Sequence, residues 1–125
     1  MKKLHITLFL ITLFLGVLSV YGDTIYVRDN YSTIQEAIDA AKDGDVIIVR
    51  DGVYYENLVI NKSIILKSEN GPENCTIDGN NSGDVIVIVV NGVTIEGFTV
   101  RGSGGDWPNA GIKVRSNYNN ISGKP

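Results

Sequence analysis

The spacing of apolar positions changes character twice along the chain. After Lys2 and Lys3, the run from Leu4 to Val20 is almost wholly apolar, broken by His5, Thr7, Thr12, Gly16 and Ser19. A basic start, an apolar stretch and permissive residues at Val20 and Gly22 predict a secretory signal over residues 1–22, with cleavage before Asp23. The alternative is an uncleaved membrane anchor, for which the run is at the short end. Thr24 to Val27 then reads as a short strand. Ile34, Ala37, Ile38 and Ala41 recur at i, i+3, i+4 and i+7, which predicts an amphipathic helix from about Thr33 to Lys42. Ser32 with Gln35, or Thr33 with Glu36, fits a capping box, and Gly44 supplies the stop.

Beyond Gly44 the helical period disappears. Short β-branched runs (Val46 to Val49, Leu58 to Ile60, Ile64 to Leu66, Val85 to Val90, Val93 to Ile95, Ile112 to Val114) alternate with Gly, Asn and Asp turns. Self-comparison shows why. Asn61, Asn91 and Asn117 each precede an isoleucine by four residues (Ile65, Ile95, Ile121). Cys75 to Gly79 matches Phe98 to Gly102, Ile86 and Ile88 match Ile112 and Val114, and Gly44-Asp45-Val46-Ile47 recurs as Gly83-Asp84-Val85-Ile86. Recurrence at offsets of 30, 26 and 23 residues suits strands of fixed length joined by loops of variable length.

A hairpin sandwich would not return the same residue class at one point of every circuit, whereas a coiled parallel solenoid does. The expected fold is an all-β solenoid, a right-handed parallel β-helix of about three rungs, with the amphipathic helix as its N-terminal cap. Stacking at the inter-strand distance lets turn asparagines donate to one another, so Asn61, Asn91 and Asn117 are candidates for a structural ladder. The expected organisation is a signal over 1–22, a strand and capping helix over 23–43, and β-helix repeats over 44–125. The last repeat stops mid-rung at Asn119 to Gly123, which predicts a chain truncated relative to a longer protein.

Composition narrows the chemistry. Without residues 1–22 the chain keeps 9 basic and 14 acidic groups, net −5, and the basic excess of a nucleic-acid binder is missing. His5 and Met1 are the only residues of their types and both precede Asp23. Cys75 is the only thiol. Zinc and copper sites, a Ser-His-Asp or Cys-His nucleophile and an internal disulfide therefore cannot be assembled from the mature residues.

The ordered series Ser32-Thr33-Ile34-Gln35-Glu36-Ala37-Ile38, Gly44-Asp45-Val46-Ile47, Gly52-Val53-Tyr54-Tyr55-Glu56-Asn57 and Ser63-Ile64-Ile65-Leu66-Lys67 closely resembles the start of secreted parallel β-helix proteins of the pectin lyase-like superfamily. The nearest likeness is to NosD-type and archaeal surface-protein repeat families, and a more distant one is to pectin methylesterases. Gly52 to Glu56 looks like the first signature segment of those esterases. Their later segments, which bring the catalytic Asp pair and Arg, do not occur here. NosD-type proteins are linked to copper delivery, yet this mature chain has no His or Met.

Two segments are candidate sites. Asp78, Asn80, Ser82 and Asp84 place oxygen ligands at alternate positions, as in the first half of an EF-hand calcium loop, but Val89 stands where the bidentate Glu belongs. An Asx-rich turn explains the same residues. Asp106, Trp107 and Asn109 lie in the longest insertion, where an exposed Trp beside polar groups suits stacking on a sugar ring; a loop folded back on the coil is the alternative. Arg101, Lys113 and Arg115 with Asp78 and Asp106 read as a solvated face rather than a lyase or hydrolase site. Asn30, Asn61, Asn74, Asn80 and Asn120 each begin an Asn-x-Ser/Thr sequon.

The expected function is an exported, non-catalytic scaffold of a cell-surface, periplasmic or secreted protein that binds a polysaccharide or surface glycan. The first alternative is the N-terminal part of a polysaccharide-active lyase, esterase or hydrolase, and the second is a NosD-like periplasmic copper-related protein. No cofactor other than calcium is expected. Contact with a membrane is expected only through an uncleaved signal, and an open last rung would permit end-to-end self-association.

Overall fold

A computed structural model describes residues 22–123, and the predicted export segment, Gly22 apart, lies outside the described residues. The elements are β1 (Thr24–Val27), α1 (Ile34–Ala40), β2 (Val46–Val49), β3 (Gly52–Tyr55), β4 (Leu58–Ile60), β5 (Ile65–Ser68), β6 (Cys75–Asp78), β7 (Ile86–Ile88), β8 (Thr94–Glu96), β9 (Thr99–Arg101), β10 (Ile112–Val114) and β11 (Asn120–Ser122). Every strand pair is parallel. They form a first sheet in the order β1-β2-β5-β8-β11, a second of β3-β6-β9 and a third of β10-β7-β4. The chain is thus a parallel β-solenoid of about four turns with one short helix. Three coils carry one strand in each sheet, β1 precedes them and β11 opens the next, so the expectation of about three rungs falls short by these two partial coils.

Strand alternation explains the interior. Ile47, Leu66 and Ile95 stack inward in the first sheet, Tyr54 and Ile77 in the second, and Leu58 with Ile86 and Ile60 with Ile88 in the third; all are buried. The pairings Thr76 with Thr99, Ile86 with Ile112 and Ile95 with Ile121 follow the sequence repeat. Two matches need correction. The repeat sets Ile65 over Ile95, but β5 and β8 pair Ile65 with Thr94 and Leu66 with Ile95. A one-residue slip would turn Leu66 to water and the exposed Ile65 to the core, so burial selects the other register. The repeated Gly-Asp-Val-Ile segments do not stack either, because Val46 and Ile47 belong to the first sheet and Ile86 to the third.

Helix α1 is shorter than its apolar spacing predicts. Thr33 is the N-cap, its Oγ1 accepting the Glu36 N–H at 3.1 Å. The Glu36 carboxylate accepts from Ser32 Oγ rather than closing the box on the cap backbone. The end comes at Ala41 and not at Gly44 because Asp45 intervenes: its Oδ2 takes the Lys42 N–H at 2.8 Å while its own N–H donates to the Lys42 carbonyl. Ile34, Ala37 and Ile38 are fully buried against the first coil. On the flank of the helix, the Gln35 carboxamide accepts from the Val59 N–H at 2.9 Å and donates to the Val59 carbonyl at 3.1 Å. Val59 lies on β4, the edge strand of the third sheet, so this side chain occupies the place that a further strand would take.

Candidate functional site

The three corners of the coil differ in length in a way that localises the variable chemistry. From third to first sheet the connections are even, at 61–64, 89–93 and 115–119. From second to third sheet they grow coil by coil, from 56–57 to 79–85 to 102–111. Both candidate segments lie on this growing corner.

Its loops are stitched to one another. Asn57 Nδ2 donates to the carbonyls of Ser82 and Asp84, and the Gly104 N–H donates to the Gly83 carbonyl at 2.9 Å. Asp84 Oδ1 accepts the Ala110 N–H at 2.8 Å while Oδ2 pairs with Lys113 Nζ at 2.7 Å. Asp78 Oδ1 accepts the Asn80 N–H and Oδ2 takes Arg101 Nε, both at 2.8 Å. The Arg101 hydrogen bond, aided by the Asn80 amide, holds the Asp78 carboxyl below the usual aspartate range. Lys113 does the same for Asp84, with help from the Ala110 amide. The candidate calcium residues Asp78, Asn80, Ser82 and Asp84 therefore share one turn, with Asn80 and Asn81 in the left-handed region. Each carboxylate faces a cation of the next coil, and each also accepts a backbone N–H, Asp78 from Asn80 in its own turn and Asp84 from Ala110 in the next coil. Among the described residues no cluster of three or more His, Cys, Asp or Glu is arranged to hold a metal.

The candidate sugar-binding residues occupy the tip of the longest loop. Trp107 is 93 % exposed, Asp106 and Asn109 are also exposed, and the Asn109 N–H closes a turn on the Asp106 carbonyl at 3.0 Å. One aromatic escapes the sequence reading: Tyr55, also exposed, points outward from β3 in register with Asp78, which is itself in register with Arg101. The alternation in Gly52-Val53-Tyr54-Tyr55, which buries Tyr54, was the available signal.

The remaining residues of the Gly-x-Tyr-x-Glu segment act architecturally. Tyr54 donates its hydroxyl to the Arg50 carbonyl at 2.8 Å and lies beneath the Arg28 guanidinium. Glu56 receives the Ile34 and Gln35 N–H groups, at 2.9 and 3.0 Å, and so satisfies two of the free donors at the start of α1.

The asparagines proposed as a ladder lie at the corner between third and first sheets. Asn91 Oδ1 accepts the Asn117 N–H at 2.8 Å, Ser63 Oγ donates to the Asn91 carbonyl at 2.7 Å, and the Ser63 N–H donates to Asp43 Oδ1 at 2.9 Å. Asn61 begins this corner and makes none of these contacts. The coil-to-coil links thus run from side chain to backbone through Asp43, Ser63, Asn91 and Asn117. Cys75 is fully buried, and burial pushes its thiol up to about 12.

The fold and this corner define a parallel β-solenoid whose longest loops are gathered on one side. No family model matches the chain. Among curated proteins it is similar to a cell surface glycoprotein of Methanothermus fervidus, 42% identical over 74 residues, which is 58% of this chain and 12% of that protein. It is also similar to a probable pectinesterase/pectinesterase inhibitor of Arabidopsis thaliana, 38% identical over 79 residues, 58% of this chain and 16% of that one. The chain spans less than a fifth of either relative. Among the described residues no helix is long and apolar enough to cross a membrane.

Proposed function

We propose that the chain is an exported, non-catalytic scaffold segment of a cell-surface or extracellular protein, a right-handed β-helix of the pectin lyase-like kind whose second-to-third corner binds carbohydrate through Trp107, Asp106 and Asn109. The observation that carries it is the exposed Trp107 on a loop fastened at both ends to the corner loop of the preceding coil, through Gly104 to Gly83 and through Ala110 to Asp84. A planar face held clear of the core, with a carboxylate and an amide beside it, matches the apolar face and hydroxyl rim of a sugar. In this reading α1 is the end cap, its Gln35 occupying the edge of β4. Similarity to a cell surface glycoprotein supports the location.

Trp107 is the chain's only tryptophan, so its fluorescence reports on this loop alone. Titration with surface polysaccharides, uronate polymers included, is expected to shift that fluorescence without releasing products, and Trp107→Ala, followed by titration calorimetry because it has lost the fluorophore, is expected to abolish binding while leaving the unfolding midpoint unchanged. Binding undiminished in Trp107→Ala would overturn the site. Similarity to the probable pectinesterase favours a second reading, an N-terminal part of a polysaccharide-active enzyme. Methanol release or new reducing ends from pectin would decide for it.

A further inference from the structure

The five Asn-x-Ser/Thr sequons look equivalent in sequence, but the fold separates them. At Asn30 the side-chain Oδ1 accepts the Tyr26 N–H and the hydroxyl of Ser32 donates to Glu36. At Asn61 the hydroxyl of Ser63 is held by the Asn91 carbonyl. Asn74 commits its own Nδ2 to the Asn70 carbonyl and is followed by the fully buried Cys75. Asn120 to Ser122 is strand β11, held extended against Thr94 to Glu96.

Asn80-Asn81-Ser82 differs on every count. All three residues are exposed, Asn80 and Asn81 adopt φ of 54° and 58° at the crest of a turn, and neither the Asn80 carboxamide nor the Ser82 hydroxyl has a hydrogen-bond partner among the described residues. The base of the turn is fixed by Asp78 accepting the Asn80 N–H, by the Ser82 N–H to the Gly79 carbonyl, and by Asn57 on the carbonyls of Ser82 and Asp84. The acceptor amide and the hydroxyl two residues on are therefore both exposed and uncommitted on one surface loop, which is what this modification requires of its substrate.

We infer that Asn80 is an N-glycosylation site of the folded protein. This rests on the reading of the chain as exported. The co-reactant is a lipid-linked glycosyl phosphate: its C1–O bond breaks as the C1–Nδ2 bond forms, the lipid phosphate leaves with the electron pair, and Nδ2 gives up one proton. The glycan would project from the same corner as Trp107, beside the loop that Gly104 anchors to Gly83.

The test presents the purified, folded chain to membranes from a glycosylating cell together with a lipid-linked donor bearing an isotope label, and maps the label by peptide mass spectrometry. Label on the peptide containing Asn80, lost in both Asn80→Gln and Ser82→Ala while their circular dichroism matches the parent, is the expected result. A chain that takes up no label, or takes it chiefly at Asn30, Asn61, Asn74 or Asn120, overturns the assignment. Export plays no part in this assay, so its failure counts against the acceptor site, whereas failure of the export reading would show separately in cell fractionation.

Discussion

Glu56 and Ile34 stand far apart in sequence, yet the Glu56 carboxylate accepts the Ile34 N–H at 2.9 Å as well as the neighbouring Gln35 N–H. A seven-residue helix is too short to persist on its own propensity. It is held by its buried face and by this carboxylate, reached from the corner between β3 and β4 of the next coil. Charge-assisted hydrogen bonds of this kind contribute about 1.5–3 kcal/mol. Glu56→Ala is expected to lower the unfolding free energy by about that amount in urea titration, and to speed hydrogen exchange at Ile34 and Gln35 well before the coil amides exchange.

A close approach at the corner between first and second sheets tests the coil itself. Gly97 has φ +77°, and a Cβ there would lie 2.5 Å from Ser68 Oγ, a buried hydroxyl that accepts the Gly71 N–H. Gly97→Ala therefore meets both a disfavoured backbone and a buried hydroxyl that can give way only by losing its bond to Gly71. A loss of about 2 kcal/mol or more is expected by chemical denaturation. Gly105→Ala, in open space on the Trp107 loop, should leave the midpoint in place.

Acid should act through three aspartates. Hydrogen bonds from Arg50, Arg101 and Lys113 lower the titration of Asp29, Asp78 and Asp84 respectively. A carboxyl depressed in the folded state contributes stability that is present above its unfolded pKa and is lost as pH falls through its folded pKa. The melting temperature is therefore expected to hold from neutral pH down to about 4, the ordinary aspartate value, and to fall below it. Asp84→Asn should flatten that acid limb, and a limb of unchanged slope would remove Asp84 from the account.

Much of this architecture could be read from residue order, because a solenoid stacks like upon like and so writes its register into the chain: Ile86 over Ile112 and Thr76 over Thr99 needed no coordinates. Where two neighbours are both apolar, as with Ile65 and Leu66, only burial decides which faces inward, and the sequence comparison slips by one. The Glu56 bond and the Gln35 bond to Val59 were illegible for another reason. Each joins a side chain to a backbone amide, and a backbone amide leaves no trace in residue type. The candidate loops were legible as loops, while the commitment of Asp78 to Arg101 depended on strand register and that of Asp84 to Lys113 on how the 79–85 loop settles beside β10.

The lengthening of one corner from coil to coil has a consequence for how such a molecule can change. Coils are spaced by the strand separation, about 4.8 Å, whatever lies outside them. Extra residues at the second-to-third corner move sideways into solvent, and the coils above and below keep their pitch. Position along the coil axis and reach away from it are thus independent coordinates. New surface features can be added at this corner, one coil at a time and in a fixed vertical order, without renegotiating the core that holds them.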